Sequence, residues 1–477
     1  MHLKLLPESI PGPGCYRPAS RTIPFHRCAA LLLPLLCFFF SVLPAAGGEL
    51  FPNYSCIRDN VRFWEDIYSR YTTRQGVLHD QENLAIVYEA VDLVDWNDPG
   101  SVRINRKLIK LARQRYKEIL SDLAAGEKPV SSDEKRVAAM FPGHSTHAYR
   151  VARDNIRLQI GQKDRFFEGI IRSGAYLPSI KKIFHTYGLP TELAYLPHVE
   201  SSFNPKAHSK AGAAGLWQFT RSTGRQYMTI DNVVDERYDP LFATRAAAVF
   251  LKENFEELGS WPLAITAYNY GRAGMKRAVR EKNSYEEIFN THRTRIFKFA
   301  SRNFYPEFLA AMNVANRLEN DPAIIPDHPE ATISHRMENF AAAKDILSYF
   351  KIAQEDFARL NPSLRRSVLS GKKYIPKGFL LRLPATDRTR NLVGAIPPRL
   401  FHASQIRDRE YIVRRGDTAG SIARRYKIPL SELVQANNLN RRALIRIGQK
   451  LKIPSPAQLA EINAVVELRS TAKTKPN

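Results

Sequence analysis

The stretch LPHVESSFNP at residues 196–205 places one carboxyl group, Glu200, at the end of an apolar segment, and AGLWQF follows at residues 214–219. A helix is predicted here, because Leu193 and Leu196 precede Glu200 at helical spacing. Apolar surroundings disfavour ionisation, so such a glutamic acid keeps its proton near neutral pH and can donate it to a leaving oxygen. The alternative is an ordinary solvated glutamate at a helix end.

Aromatic and amide side chains follow Glu200 in two clusters. In the first, a glycine-bracketed loop leads into Trp217, Gln218 and Phe219, which are predicted to supply a stacking face and an amide. The second is AYNYG at residues 267–271. Each cluster alone is typical of core and turn. Together and in this order, they favour a carbohydrate site with a single acid.

These motifs resemble the lytic transglycosylases related to goose-type lysozyme, and most closely the membrane-bound murein transglycosylase D group. The resemblance rests on Glu-Ser at 200–201, GLWQF at 215–219 and AYNYG at 267–271, and it extends over residues 187–318. It implies that residues 176–325 form a mainly α, lysozyme-like catalytic domain. It also implies peptidoglycan glycan strands as the substrate.

The resemblance assigns a role to each motif residue. Glu200 is implied to be the sole catalytic acid and later the base, and Ser201 to help position it. The residues implied to line the sugar site are Gln218, Phe219, Tyr268 and Asn269. The family's fourth motif is a Tyr-Val pair, and this chain has Phe304 and Tyr305 there. Tyr305 is therefore the candidate for the displaced hydroxyl.

The motifs place only one carboxyl group, whereas hydrolases that invert or retain configuration normally use two. The acidic cluster Asp231, Asp235, Glu236 and Asp239 is predicted to form turns and caps, with Asp239 capping a helix that starts at Pro240. With one acid, the substrate must supply its own nucleophile. The resemblance implies that the 6-hydroxyl of N-acetylmuramic acid does so and leaves a 1,6-anhydro end. A hydrolytic muramidase on the same fold and a non-catalytic wall-binding scaffold stay open as alternatives.

Residues 1–48 are predicted to be a secretory signal peptide, because arginines precede a short apolar run that ends in small residues. Cleavage is expected near residues 46–48, which would locate the mature protein in the periplasm or cell envelope. The cysteine contexts do not support a lipid anchor. Cys56 would then be the sole cysteine of the mature chain, so no internal disulfide is expected.

The formal net charge of +24 favours polyanionic partners. Nucleic acid is not expected, because the sequence has neither zinc-finger spacing nor an RNA-binding signature. The carboxylates of peptidoglycan are the expected partner, with the anionic membrane surface as a second one, and the sequence indicates no protein partner. No cofactor or metal is predicted. His144 and His147 have metal-like spacing, but no cysteine or acidic partner completes a site.

The N-terminal region, residues 49–175, is predicted to be helical, and no chemistry is assigned to it. Helices are expected at residues 102–123 and 148–171.

The C-terminal region resembles a LysM domain at residues 408–455, a βααβ module that binds glycans containing N-acetylglucosamine. The residues implied to bind glycan are Gly416, Asp417, Thr418, Asn437, Ile447 and Gly448. Residues 331–385 parallel this module as a degenerate copy without the Gly-Asp-Thr turn, and this copy either binds glycan weakly or packs against the catalytic unit. Residues 386–407 are predicted to be a linker and residues 456–477 a disordered tail.

Overall fold

The computed structural model describes residues 49–143, 145–440 and 442–454. The predictions of a signal peptide and a tail, and the interpretation of His144, concern residues outside these ranges. Within them, no helix combines the length and the apolar character needed to cross a membrane.

The N-terminal region combines helices with a three-stranded antiparallel sheet of order β2-β1-β3. Its elements are a 3-10 turn at Ser55–Ile57, α1 Arg58–Ser69, β1 Gln75–Asp80, β2 Val87–Asp92, α2 Ser101–Ala125, α3 Ser132–Ala139, α4 Thr146–Asp154, β3 Ile156–Ile160 and α5 Lys163–Ser173. The helix predicted at residues 102–123 is confirmed by α2, but the single helix predicted at 148–171 is wrong. Strand β3 interrupts it, because Ile156, Leu158 and Ile160 alternate with polar residues and pack on one side against a small core.

A helical domain follows, and its mainly α character confirms the prediction. Its elements are α6 Leu177–Thr186, α7 Leu196–Ser201, α8 Arg221–Gly224, α9 Pro240–Leu258, α10 Trp261–Tyr270, α11 Arg272–Glu281, α12 Tyr285–Thr291 and α13 Phe299–Glu319, with 3-10 turns at Thr191–Tyr195 and Glu236–Tyr238. Asp239 caps α9 as predicted, accepting hydrogen bonds from the backbone N–H groups of Leu241 at 3.0 Å and Phe242 at 3.1 Å. One face of α9 is buried, including Ala243 and Leu251.

The N-terminal region and the helical domain share one hydrophobic core. Helix α1 lies along α13, where the buried amide of Asn60 donates to the side chain of Asn303 at 2.7 Å. Phe166 of α5 packs on Tyr68 of α1, with 4.6 Å between ring centroids. Helices α1 and α5 therefore complete a core that the sequence analysis assigned to residues 176–325 alone.

Two small modules complete the described chain. The first, residues 331–385, comprises β4 Thr332–Arg336, β5 Phe340–Ala341, α14 Ala343–Phe350, α15 Gln354–Leu360, α16 Arg366–Leu369 and β6 Leu380–Pro384. The chain continues through α17 Asp387–Leu392, 3-10 turns at Val393–Ala395 and Pro398–Leu400, and β7 Phe401–His402. The second comprises β8 Arg409–Ile412, α18 Ala419–Arg425, α19 Leu430–Ala436 and β9 Lys450–Ile453. Strand β4 pairs with β6 and β8 with β9, both antiparallel. The βααβ order predicted for the second module is confirmed, and the first has the same outer strand pair.

The segment predicted to be a linker, residues 386–407, is folded onto the first module. Strand β7 pairs with β5, and the rings of Tyr374 and His402 stack at a centroid distance of 4.0 Å. The linker prediction is therefore wrong. The segment is folded because apolar side chains such as Leu392 and Phe401 pack against the core of the first module.

Ion pairs join the second module to the first. Lys372 Nζ lies 2.6 Å from a carboxylate oxygen of Glu432, and Lys373 Nζ lies 2.9 Å from one of Asp408. Both lysine side chains are buried. The second module is thus docked against its neighbour.

Candidate active site

The segment that carries Glu200 folds in two steps. The 3-10 turn at Thr191–Tyr195 leads directly into α7, so the predicted helix begins as a tighter turn. Leu193 and Leu196 are fully buried on one side. Helix α7 ends one residue after Glu200, because Ser202 adopts a left-handed backbone with a φ of 49°.

Helix α5 crosses close to the end of α7. A Cβ atom at Gly169 would lie 3.0 Å from the carbonyl oxygen of Ser202, so any larger residue would force the two backbones apart by a few tenths of an ångström. Arg172 Nη2 donates to the same carbonyl at 2.8 Å. A cleft of about 390 Å³ opens beside the crossing, and its lining includes Gln162, Arg165, Glu168, Glu200, Ser201 and Asn204.

Glu200 is half-buried and lines this cleft. Burial raises the pKa of Glu200 to about 8, and the negative charge of Glu307 adds to the effect. At neutral pH the group therefore carries a proton. This is the state that a general acid requires.

A second carboxyl group, Glu307 of α13, lies close enough to raise the pKa of Glu200. The hydroxyl of Tyr68 on α1 donates to Glu307 Oε1 at 2.8 Å, and burial raises the pKa of Glu307 to about 7. Glu307 was not predicted from the sequence because it belongs to no motif. Its position one helical turn after Phe304 was the available clue. Glu307 is therefore a second carboxyl group near Glu200 that the motifs did not predict, and Glu200 as the sole acid stays a prediction.

The loop at residues 212–219 is fastened by two of the predicted site residues. Ser201 Oγ donates to the carbonyl oxygen of Leu216 at 2.8 Å, and the hydroxyl of Tyr268 donates to that of Trp217 at 2.7 Å. Both side chains therefore tie the loop to the helices beside the acid. The sequence predicted Ser201 as a positioning residue, and the loop is the group that it visibly holds.

The two predicted amides are held by hydrogen bonds, and Gln218 Nε2 donates to two carbonyl oxygens, that of Ala207 at 3.3 Å and that of Gly215. Gln218 has a φ of 47°, and its Nε2 donates to the carbonyl oxygen of Gly215 at 2.8 Å. Asn269 is exposed near the end of α10, and its Oδ1 accepts from Ser301 Oγ at 2.8 Å. Gln218 and Asn269 remain predicted substrate contacts.

The aromatic rings of the loop face the core. Trp217 is fully buried, and its Nε1 donates to Thr244 Oγ1 at 2.9 Å. Phe219 is 3% exposed and packs between Phe250 and Tyr268. The predictions of a stacking face and of a sugar contact by Phe219 are therefore wrong, because the rings of Trp217 and Phe219 are buried in the core.

Tyr268 faces the acid, and burial with the charge of Glu200 raises the pKa of Tyr268 well above its ordinary value. The ring of Phe304 lies parallel to it, with 6.3 Å between centroids. The hydroxyl of Tyr305 instead donates to the carbonyl oxygen of Pro52 at 3.0 Å. The prediction that Tyr305 lines the sugar site is wrong, because successive helical residues point about 100° apart.

A second cavity of about 430 Å³ is lined in part by Tyr227, Phe250 and Arg272. Phe250 also packs on Tyr268, with 5.3 Å between ring centroids, which links this cavity to the site. In the part of the chain that the structure describes, no group of three or more acidic, histidine or cysteine side chains could hold a metal ion.

Several predicted glycan contacts of the second module serve its own fold. Gly416 adopts a φ of 87° in the turn after β8. The carboxylate of Asp417 accepts a hydrogen bond from the hydroxyl of Tyr411 at 2.7 Å. Thr418 caps α18 by accepting from the backbone N–H of Ser421 at 3.0 Å. These residues therefore shape the turn, whether or not they also touch glycan.

Asn437 is fully engaged as a donor. Its Nδ2 donates to the carbonyl oxygens of Leu433 at 2.9 Å and Lys452 at 2.7 Å, so no N–H of the amide remains for a glycan. Ile447, in contrast, is 70% exposed, and Gly448 turns the chain beside it with a φ of 79°. Of these three, only Ile447 presents a free side chain.

Comparison with known proteins gives two domain matches. The Transglycosylase SLT domain matches residues 179–290, and the LysM domain matches residues 411–454. The chain thus contains a transglycosylase SLT domain and a LysM domain. It is homologous to the membrane-bound lytic murein transglycosylase D of Escherichia coli, with 25% identity over 323 residues, which cover 63% of this chain and 71% of that protein.

Two further similarities are weaker in extent. A putative tributyltin chloride resistance protein of Alteromonas sp. is 36% identical over 110 residues, covering 23% of this chain and 53% of that protein. Among solved structures, an inactive mutant of lytic transglycosylase Slt from Pseudomonas aeruginosa is 20% identical, with a TM-score of 0.24, and covers 32% of this chain. The match spans 25% of that solved chain.

Proposed function

We propose that this protein is a peptidoglycan lytic transglycosylase that cleaves the β-1,4 bond between N-acetylmuramic acid and N-acetylglucosamine. The observation that carries the proposal is the carboxyl group of Glu200, protonated at neutral pH inside an SLT domain. The homology to a lytic murein transglycosylase supports the same substrate class.

In the proposed reaction, Glu200 donates its proton to the glycosidic oxygen as the bond to the anomeric carbon breaks. The substrate's N-acetyl group stabilises the positive charge that develops at that carbon. The 6-hydroxyl of the same muramic acid then attacks the anomeric carbon, and its proton passes to Glu200. A 1,6-anhydro end results, no water is consumed, and the acid returns to its starting state.

The second module is proposed to hold the enzyme on the wall, because it matches the LysM domain and presents Ile447 to solvent. Peptidoglycan glycan strands are then the main partner, and the net charge of +24 suits their carboxylates and an anionic membrane surface. The proposed location is the periplasm or cell envelope, after removal of residues 1–48. Sequencing the N-terminus of protein purified from envelope fractions tests this location.

The test of the proposed acid is Glu200→Gln, with Glu192→Gln in the preceding 3-10 turn as the matched control. We expect the first variant to lose soluble product from purified sacculi by at least about a hundredfold and the control to keep it. Binding to sacculi should persist in both variants. Cleavage by the Glu200→Gln protein at the parent rate would show that another residue is the acid.

Glu307 favours a second candidate, a hydrolytic muramidase, because such hydrolases use two carboxyl groups and the charge of Glu307 acts on Glu200. Mass spectrometry of the digest separates the candidates, since hydrolysis gives reducing ends and the proposed reaction gives anhydro ends. Under the proposal, Glu307→Gln keeps anhydro products. The Glu307→Gln variant also lacks a charge that raises the pKa of Glu200. Its activity should therefore decline at a lower alkaline pH than that of the parent. Reducing ends that disappear with Glu307 would establish the muramidase instead.

A further inference from the structure

The first module, residues 331–385, lies outside both domain matches, yet it contacts residues that hold the active-site loop in place. Its contact with the helical domain centres on Asp235, a buried member of the acidic cluster. Arg365 of the module donates from Nη1 to Asp235 Oδ2 at 2.7 Å. The backbone N–H of Asp235 donates to the carbonyl oxygen of Ser363 at 2.8 Å, and that of Arg365 to Val233 at 3.0 Å. Side chain and backbone therefore dock the module at the same point.

Asp235 also binds a second arginine within the helical domain. Arg237 donates from Nε and Nη2 to the two carboxylate oxygens, both at 2.9 Å. Both side chains are 2% exposed. Burial alone would raise the pKa of Asp235, but the guanidinium groups of Arg237 and Arg365 hold it below its ordinary value. A buried carboxylate that is shared by two arginines is costly to disturb, because losing one partner leaves uncompensated charge.

Arg237 in turn holds the loop at residues 212–219. Its Nη1 donates to the carbonyl oxygens of Gly212 at 2.8 Å and Phe219 at 3.0 Å, which are the two ends of the loop. Within the loop, a Cβ atom at Gly215 would lie 1.7 Å from the backbone oxygen of Arg237, so the two backbones are in closest contact there. This is the loop that Ser201 and Tyr268 tie to the helices beside the acid.

A second contact between the same two parts acts on α9. Arg382 of β6 donates from Nη2 to Asp239 Oδ1 at 3.0 Å, and Asp239 caps α9. The module thus engages both of the most buried aspartates of the cluster that the sequence assigned to turns and caps. The cap is confirmed for Asp239, but the main partners of Asp235 are arginines.

We propose that residues 331–385 are a brace for the active site, and that Arg365 is a positioning residue that acts through Asp235 and Arg237 on the loop at 212–219. The proposal rests on the proposed function of this site and adds a role for a module that resembles a glycan binder. In this role the module contributes to the turnover of the enzyme and not to its hold on the wall.

The test uses the full chain with Arg365→Met, which keeps an unbranched side chain and removes the charge. Arg359→Met is the matched control, because Arg359 lies in the same module and forms exposed ion pairs with Glu330 and Asp356. Arg365→Lys tests rescue by a conservative change. Three quantities are measured for each: kcat on a soluble glycan fragment, binding to sacculi, and hydrogen exchange of residues 212–219.

We expect Arg365→Met to lower kcat about tenfold and to speed exchange of the loop, with binding to sacculi unchanged. Arg365→Lys should recover most of kcat, and Arg359→Met should match the parent. Loop exchange equal to that of the control overturns the proposal. Weaker binding to sacculi with unchanged loop exchange also overturns it and makes the module a glycan binder. If the parent protein cleaves nothing, the proposed function fails, while the exchange measurement still decides the brace.

Discussion

The two small modules share one construction and differ in what surrounds it. In the first, the amide of Asn361 donates to the carbonyl oxygen of Arg382 at 2.8 Å and accepts from its N–H at 2.8 Å. In the second, Asn437 makes the same pair of bonds with Lys452, at 2.7 and 2.6 Å. Each asparagine also donates to the carbonyl four residues earlier. The internal repeat predicted from sequence is thus visible as a repeated asparagine clamp.

The two modules differ in how much of their surface is covered by neighbouring parts of the chain. The first module is covered by the helical domain, by the 386–407 segment and by the second module, and Asn361 is 1% exposed. The second module contacts the first module through ion pairs and the helical domain through Asn438 and Arg225, but it keeps Ile447 in solvent. At the equivalent position, the first has an exposed lysine, Lys377. The same scaffold therefore serves as an internal support in the first module and as an exposed LysM domain in the second.

The sharpest test of this difference is to remove each clamp in turn. Asn361→Ala leaves a backbone N–H and a C=O of Arg382 without partners inside the protein, which costs about 3 kcal/mol of unfolding free energy. Asn437→Ala should cost about 1 kcal/mol, because water reaches the same groups in the more open second module. Hydrogen exchange of β6 and β9 measures the two losses. Equal losses would contradict the distinction between a covered and an open copy.

A smaller effect is expected from the aspartates that stabilise each module's surroundings. The pKa of Asp235 is lowered by two arginines in spite of burial, and the backbone N–H of Arg414 and the hydroxyl of Tyr411 lower that of Asp417. Each carboxylate therefore stabilises the fold above an unfolded pKa of 3.8, and this stabilisation is lost as pH falls below that value.

At pH 7, Asp235→Asn should cost about 2 kcal/mol, and Asp417→Asn should cost less because its site is open to water. Urea unfolding of both variants and the parent at neutral pH and near pH 3 measures the difference. The two variants should approach the parent at the lower pH. A cost that stays constant with pH would show that the charge of the aspartate is not what matters.

The smallest effect concerns the exposed ends of the two modules. Ile447→Ser should weaken binding to sacculi about fivefold, because an exposed apolar side chain that is buried on binding contributes about 1 kcal/mol. Lys377→Ser, the equivalent change in the first module, should leave binding unchanged. Co-sedimentation with purified sacculi gives both values. Equal weakening by the two changes would make the first module a second glycan binder.

Local sequence rules predicted the parts of the fold that depend on local chemistry. Asp239 before Pro240 predicted the start of α9. Strand β3 was missed because five residues of alternating pattern lie between two helical stretches. The fold of residues 386–407 was missed because its few apolar residues lie among prolines, and their partners are distant in sequence.

The site shows the same division. The surroundings of Glu200 followed from the apolar residues before it, but Glu307 reaches it only through the packing of α13 against α7. Tyr305 and Phe219 were misplaced for a different reason. An aromatic side chain suits a core as well as a sugar face, and one position along a helix decides between them.

The raised pKa values, about 8 for Glu200 and about 7 for Glu307, also affect the stability of the native state at alkaline pH. A carboxyl whose pKa is raised by folding stabilises the native state only while it is protonated. That stability is intact below the ordinary value of 4.5 and declines as pH rises to the folded pKa. The proton that the site holds ready for a glycosidic oxygen is therefore also a proton that the native fold loses stability without.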